Sequence, residues 1–166
     1  AQRIVLAVGN MHAPRLLGLD EPFEAVDPVS AATIRTILNR FVENGGLLIS
    51  DDCNHDVNGL YSKSFEAEVA RIFPGENVLP KIPNSHALYR AFFRFPDGPP
   101  QTSHELNGWG DNIVHDYLRG LERRGRLGIV YSNKDYGCEW DYDWRNKRFR
   151  REDNTKFAVN LVVYAM

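Results

Sequence analysis

The stretch from Asp27 to Ser50 constrains the fold more than any other part of the chain. Asp27 followed by Pro28 is a strong helix start, because the Asp side chain can accept from the first free amides and Pro has no amide to lose. Ile34, Ile37, Leu38, Phe41 and Val42 then recur at helical spacing, which gives the helix one apolar face to lay on a sheet. Gly45-Gly46 stops the helix, and Leu47-Leu48-Ile49-Ser50 reads as a strand buried on both faces. A helix handed by a glycine pair straight into a buried strand is a unit of a sheet covered by helices.

The neighbouring segments extend that pattern. Arg3 to Gly9 (RIVLAVG) reads as a short buried strand, followed by a loop punctuated by His12, Pro14, Gly18 and Pro22. Ser64 is placed to cap a second helix carrying Phe65, Val69, Ile72 and Phe73, stopped by Pro74-Gly75. From Asn77 to Gly110 the only regular element predicted is a helical turn near His86 to Phe92, and so long an aperiodic stretch belongs to a site or an interface. Residues 126–132 read as a strand. Residues 112–121 fit a helix through Ile113, Val114, Tyr117, Leu118 and Leu121, and a hairpin arm through Gly120 and the turn after it; both readings stay open. Asn154 is placed to cap a last helix that buries Phe157, Leu161, Val162 and Ala165.

The expected fold is therefore one α/β domain over residues 1–166, with a three-layer arrangement of a mostly parallel sheet and helices on both faces. Hydrophobic residues at 43% and charged residues at 25% suffice for one core of this size. A net charge of -2 gives no general attraction to nucleic acid, and no apolar run approaches the ~20 residues of a membrane helix. The basic clusters at Arg123, Arg124, Arg126 and at 145–151 read as solvated positions balanced by nearby acids.

In open α/β sheets ligands bind beyond the carboxyl ends of the strands. That edge would gather Asn10 to His12, Asp51 to Asp56, and Asn133 to Cys138. Cys53, with His55, His104 or His115 as base, is the candidate nucleophile, yet it sits in Asp-Asp-Cys-Asn-His and lacks the glycine-flanked elbow such a thiol uses. Asp51, Asp52, Cys53, His55 and Asp56, with His104, Glu105 and His115, admit a divalent metal but lack the His-x-x-x-His or Cys-x-x-Cys spacing of zinc sites. Lys134 and Asp135 follow one strand and Asp51 and Asp52 another, so a Lys134–Asp52 ion pair across the edge is expected. Trp109, Tyr136, Trp140 and Trp144 form a candidate aromatic surface, or pins for a long loop. Cys53 and Cys138 can pair in an oxidising compartment if the fold brings them within reach, and are otherwise two small buried thiols.

The segments GGLLISDDCNHD (45–56), FFRF (92–95), TSHELNGWGD (102–111), YSNKDYGCEWDYDWRNKRF (131–149) and NTKFAVNLVVYAM (154–166) resemble the domain-of-unknown-function family 4159 over about residues 30–166. The resemblance implies a fold like that of the class I glutamine amidotransferases and an exported or periplasmic, membrane-associated setting. It brings no established reaction. The expected function is a non-catalytic binding or assembly module with a protein partner, as an accessory subunit of a larger complex. The alternative is a hydrolase working through the carboxylate and histidine cluster, with or without a metal.

Overall fold

Two parallel strands, β2 (Leu47–Asp51) and β4 (Arg126–Ser132), form the centre of a four-stranded sheet in a computed structural model of the chain. The structure describes residues 15–19, 26–53, 58–75, 79–106, 108, 111–140 and 151–166. The strand order is β1-β2-β4-β3, where β1 (Leu16–Leu19) pairs parallel to β2 and β3 (Arg119–Arg123) pairs antiparallel to β4. The helical elements are α1 (Pro28–Glu43), α2 (Leu60–Ile72), a 3-10 turn at Ala87–Arg90, the short α3 (Ser103–Leu106) and α4 (Tyr136–Trp140), and α5 (Arg151–Ala165).

Alternation along β2 divides the core. Leu48 meets Leu38 and Val42 of α1 and Phe65, Val69 and Ile72 of α2, with Ile129 and Tyr131 of β4. Leu47 and Ile49 join a second cluster with Phe157, Leu161 and Ala165 of α5 and Leu88 and Tyr89 of the 3-10 turn. Helices thus contribute to the core on both sides of a mostly parallel sheet. Asp27 caps α1 through Val29 and Ser30, with Pro28 opening the helix, and Gly45 at φ +88 lets the chain turn into β2.

Several expectations are corrected. Residues 16–19, read as loop, pair with β2, because a run of leucines gains more from joining the sheet than from solvent. The predicted strand at Arg3–Gly9 lies outside the described residues. The second helix starts at Leu60 after Gly59, and Ser64 lies exposed within it. The last helix starts at Arg151, so Asn154 is an interior, fully buried residue and not a cap. Val162, expected inside, is 47% exposed, and Ile37 of α1 also faces outward. The open segment resolves as a hairpin, in which β3 returns to β4 through Arg124 and Gly125 at φ +52 and +77, the paired left-handed conformation of tight hairpin turns. Two of the basic residues there are balanced as expected, Arg123 at 2.7 Å and Arg124 at 3.2 Å from Glu43, whereas Arg126 donates to the Tyr164 and Ala165 carbonyls.

One residue of this hairpin is tightly constrained. Leu121 pairs with Ile129 but Glu122 pairs with Leu127, so Gly128 is the extra residue of a bulge. The bulge lets Leu127 and Val130 both enter the α5 cluster, which simple alternation forbids. A Cβ on Gly128 would lie 2.4 Å from Val42 Cγ1. Gly128→Ala is expected to lower unfolding stability by about 1–3 kcal/mol in urea titration, and Val42→Ala in the same chain to recover part of the loss.

Candidate functional site

At the carboxyl end of β2, Asp51 pairs in register with Ser132, the last residue of β4, and the Asp52 amide donates to the Ser132 carbonyl at 2.8 Å. The segments after both strands therefore leave the sheet together, and Asp51, Asp52, Lys134 and Asp135 meet at one edge as expected.

The strongest interaction there is not the expected one. Lys134 Nζ donates to Glu105 Oε1 and to the His115 carbonyl, each at 2.5 Å, and both side chains of the ion pair are fully buried. Glu105 also accepts from the His115 amide and the Thr102 amide, each at 2.9 Å. Burial pulls the Lys134 pKa below its ordinary value and the Glu105 charge opposes that pull. Asp52, the anticipated partner, is buried elsewhere and accepts from the Tyr131 hydroxyl at 3.1 Å. Glu105 wins because α3 delivers its carboxylate with backbone amides already attached, so Lys134 completes a charge that is partly neutralised.

Asp135 occupies the turn between β4 and α4 in the left-handed region, at φ +57. Its carboxylate accepts from the amide and the thiol of Cys138, so it caps α4, and His104 Nδ1 lies 2.9 Å from its Oδ2. Burial raises the Asp135 pKa, while His104 and Cys138 hold it down. Asp51 Oδ2 accepts from the Gly137 amide at 2.7 Å. The Asp51 carboxyl is pushed up to about 7, first by burial and then by the charges of Asp135 and Asp52, against the Ser132 hydroxyl and the Gly137 amide. One oxygen of Asp51 and one of Asp135 are buried with no hydrogen-bond partner among the described residues.

Cys53 and Cys138 both stand exposed and are not joined by a disulfide, so the expectation of buried thiols is not met. Partial burial, followed by the Asp135 carboxylate, pushes the Cys138 thiol up to about 12, away from the thiolate a nucleophile needs.

The aromatic candidates divide. Tyr136 is a core residue, its ring stacked on Trp140 at 5.5 Å and its hydroxyl donating to the Pro100 carbonyl at 2.5 Å. Trp140 is 37% exposed and its indole N–H donates to the Asn154 carbonyl at 3.0 Å. His115 is buried against Asp111 at 2.7 Å and gives the site its carbonyl, not its ring. His55, Asp56, Trp109 and Trp144 lie outside the described residues. Sequence reasoning missed Glu139, a buried carboxylate that accepts from the Ser103 amide at 2.7 Å, from the Ser103 hydroxyl, and from Asn154 Nδ2 at 3.1 Å. Its partners come from α3 and α5, so no local pattern announces it. Among the described residues no three His, Cys, Asp or Glu side chains form a group that could hold a metal ion.

The fold and site together define an α/β domain whose carboxyl edge is closed by a network of its own side chains. The model of the family described as Domain of unknown function (DUF4159) matches residues 24–166, and the chain belongs to that family. It is also similar to the bacitracin transport ATP-binding protein BcrA of Enterococcus faecalis, 40% identical over 48 residues, which are 29% of this chain and only 16% of that protein. No helix among the described residues is long and apolar enough to cross a membrane.

Removing one partner of the Lys134–Glu105 pair leaves an uncompensated buried charge. Lys134→Met and Glu105→Gln are each expected to cost about 3–5 kcal/mol of unfolding free energy, and the double variant less than their sum. The Asp51 shift carries a pH signature. Its folded value of about 7 exceeds the ordinary 3.8, so the proton it retains stabilises the fold at low pH and that contribution is lost as pH rises through about 7. In thermal melts across this window, Asp51→Asn should flatten the decline that the unaltered chain shows; an unchanged decline would assign the titration to another group.

Proposed function

We propose that this chain is a non-catalytic binding or assembly module, an accessory subunit of a larger, membrane-associated complex, on a fold of the class I glutamine amidotransferase kind. The observation that carries the reading is the state of the turn from β4 into α4. A catalytic elbow at such a turn presents a nucleophile and leaves nearby amides for an oxyanion. Here the turn residue is Asp135, 2% exposed, and the Gly137 and Cys138 amides are taken by the carboxylates of Asp51 and Asp135. Carboxyl oxygens stand where an oxyanion would develop, and the nearby Cys138 thiol is pushed up to about 12. Binding has a surface elsewhere: the second half of α5 exposes Val159, Val162 and Val163 opposite its buried face, with Met166 just beyond its end, and an apolar face of this kind suits a protein partner.

The hydrolase reading draws on one observation, the near-neutral Asp51 carboxyl beside the His104–Asp135 pair, which suits acid–base work. The two readings separate in one set of experiments. A photo-reactive residue placed at Val162 in cells that make the protein should yield a discrete protein adduct, and the same residue at Ser64 on α2 none. Stoichiometric bound metal, or ester or glutamine hydrolysis lost in Asp135→Asn but kept in Val162→Glu, would overturn the module in favour of the enzyme.

A further inference from the structure

We infer that Cys53 and Cys138 form a reversible dithiol–disulfide couple at the carboxyl edge of the sheet, with Cys53 as the entry thiol and Cys138 as the thiol that closes the bond. The inference does not depend on either functional reading above. Two strands that end in register bring the thiols together. Asp51 faces Ser132, and the Asp52 amide is bonded to the Ser132 carbonyl, so Cys53 leaves β2 beside the turn that starts α4. The Gly137 amide, one residue before Cys138, donates to Asp51 Oδ2 at 2.7 Å and so pins the first turn of α4 to the segment that carries Cys53. The charges report the same approach. A Cys53 thiolate opposes ionisation of Cys138 more strongly than the Asp51 carboxylate does, although Asp51 holds the residue next to Cys138. Both thiols are exposed, so a disulfide from solution can reach them.

The surroundings of the two sulfurs assign the order of events. Exchange proceeds by attack of a thiolate on a disulfide sulfur and passes through a mixed disulfide. Cys138 is poorly suited to the first attack, because burial and then Asp135 push its thiol up to about 12. Cys53 therefore attacks one sulfur of a small-molecule disulfide of the glutathione class, and one thiol of that molecule leaves. Cys138 then attacks the Cys53 sulfur. Its S–H proton passes to the Asp135 carboxylate that already accepts it, and the second small thiol leaves. Two protein thiols are oxidised and one small disulfide is reduced to two thiols. Asp135 suits the base, since burial raises its own affinity for a proton. The new bond fixes α4 to β2 covalently, where the Asp51–Gly137 bond does so in the dithiol form.

The test is oxidation of the dilute, purified chain with oxidised glutathione at mildly alkaline pH, followed by acid quench and peptide mass spectrometry. The unaltered chain should lose two hydrogens and yield a peptide cross-linked between Cys53 and Cys138, which dithiothreitol reopens. Cys138→Ser should stop at one glutathione on Cys53, and Cys53→Ser should take up glutathione at least about tenfold more slowly. Asp135→Asn keeps a residue at ease in the left-handed region; it should leave the first step unchanged and slow closure at least about tenfold. Glutathione on both cysteines without the internal cross-link, cross-links only between two molecules, or a chain inert to oxidised glutathione would each overturn the couple. Closure at an unchanged rate in Asp135→Asn would overturn the assignment of the base.

Discussion

The ion pair between Lys134 and Glu105 is the interaction on which the rest of this structure depends. Two opposite charges removed from water cost more than their attraction returns unless every remaining polar atom is also bonded. Glu105 meets that condition with the amides of Thr102 and His115, and Lys134 with the His115 carbonyl. The pair therefore joins the end of β4 to α3 and to the segment that leads into β3. None of these pieces is long enough to hold its place alone: α3 spans Ser103–Leu106 and α4 spans Tyr136–Trp140. Their positions are consequences of the charge they surround.

The other carboxylates extend the same logic outward. Asp51 and Asp135 hold the first turn of α4, and Glu139 at its far side takes bonds from Ser103 and Asn154 and so links α3 to α5. The polar edge is thus largely occupied by its own side chains, and among the described residues one oxygen each of Asp51, Asp135 and Asn154 is buried without a hydrogen-bond partner. A left-handed aspartate at Asp135 is a strained feature that elsewhere marks function. Here the strain positions a cap, and the more open surface lies on the far side of the sheet's helical cover, along α5.

Much of the scaffold was legible in the sequence because its signals are local. Asp27-Pro28, Gly45-Gly46 and the apolar run after them act on residues within a turn or two, and the structure places that helix and strand as read. The convergence of residues 51–53 and 134–138 was legible from topology alone, since parallel neighbours end on the same side. The identity of the pairs was not. Lys134 had carboxylates available from several segments, and the choice of Glu105 over Asp52 depends on amides supplied by Thr102 and His115. Asn154 misled for a related reason: the side chain that suits a helix cap also suits a buried bridge, and the bond to Glu139 is visible only in three dimensions.

The hairpin has a consequence for how the chain reaches this state. Strands β3 and β4 meet across a two-residue turn, whereas the central pairing joins Leu48 to Ile129 and closes a far longer loop. Hairpins close in microseconds, and distant pairings wait on a larger entropic cost. As the polypeptide emerges from the ribosome, β2 is complete long before its central neighbour exists. Its leucines and isoleucine stay open on that side until nearly the whole domain has been translated. This strand is the segment a chaperone would shelter in the nascent chain, and arrested or truncated products would aggregate through it.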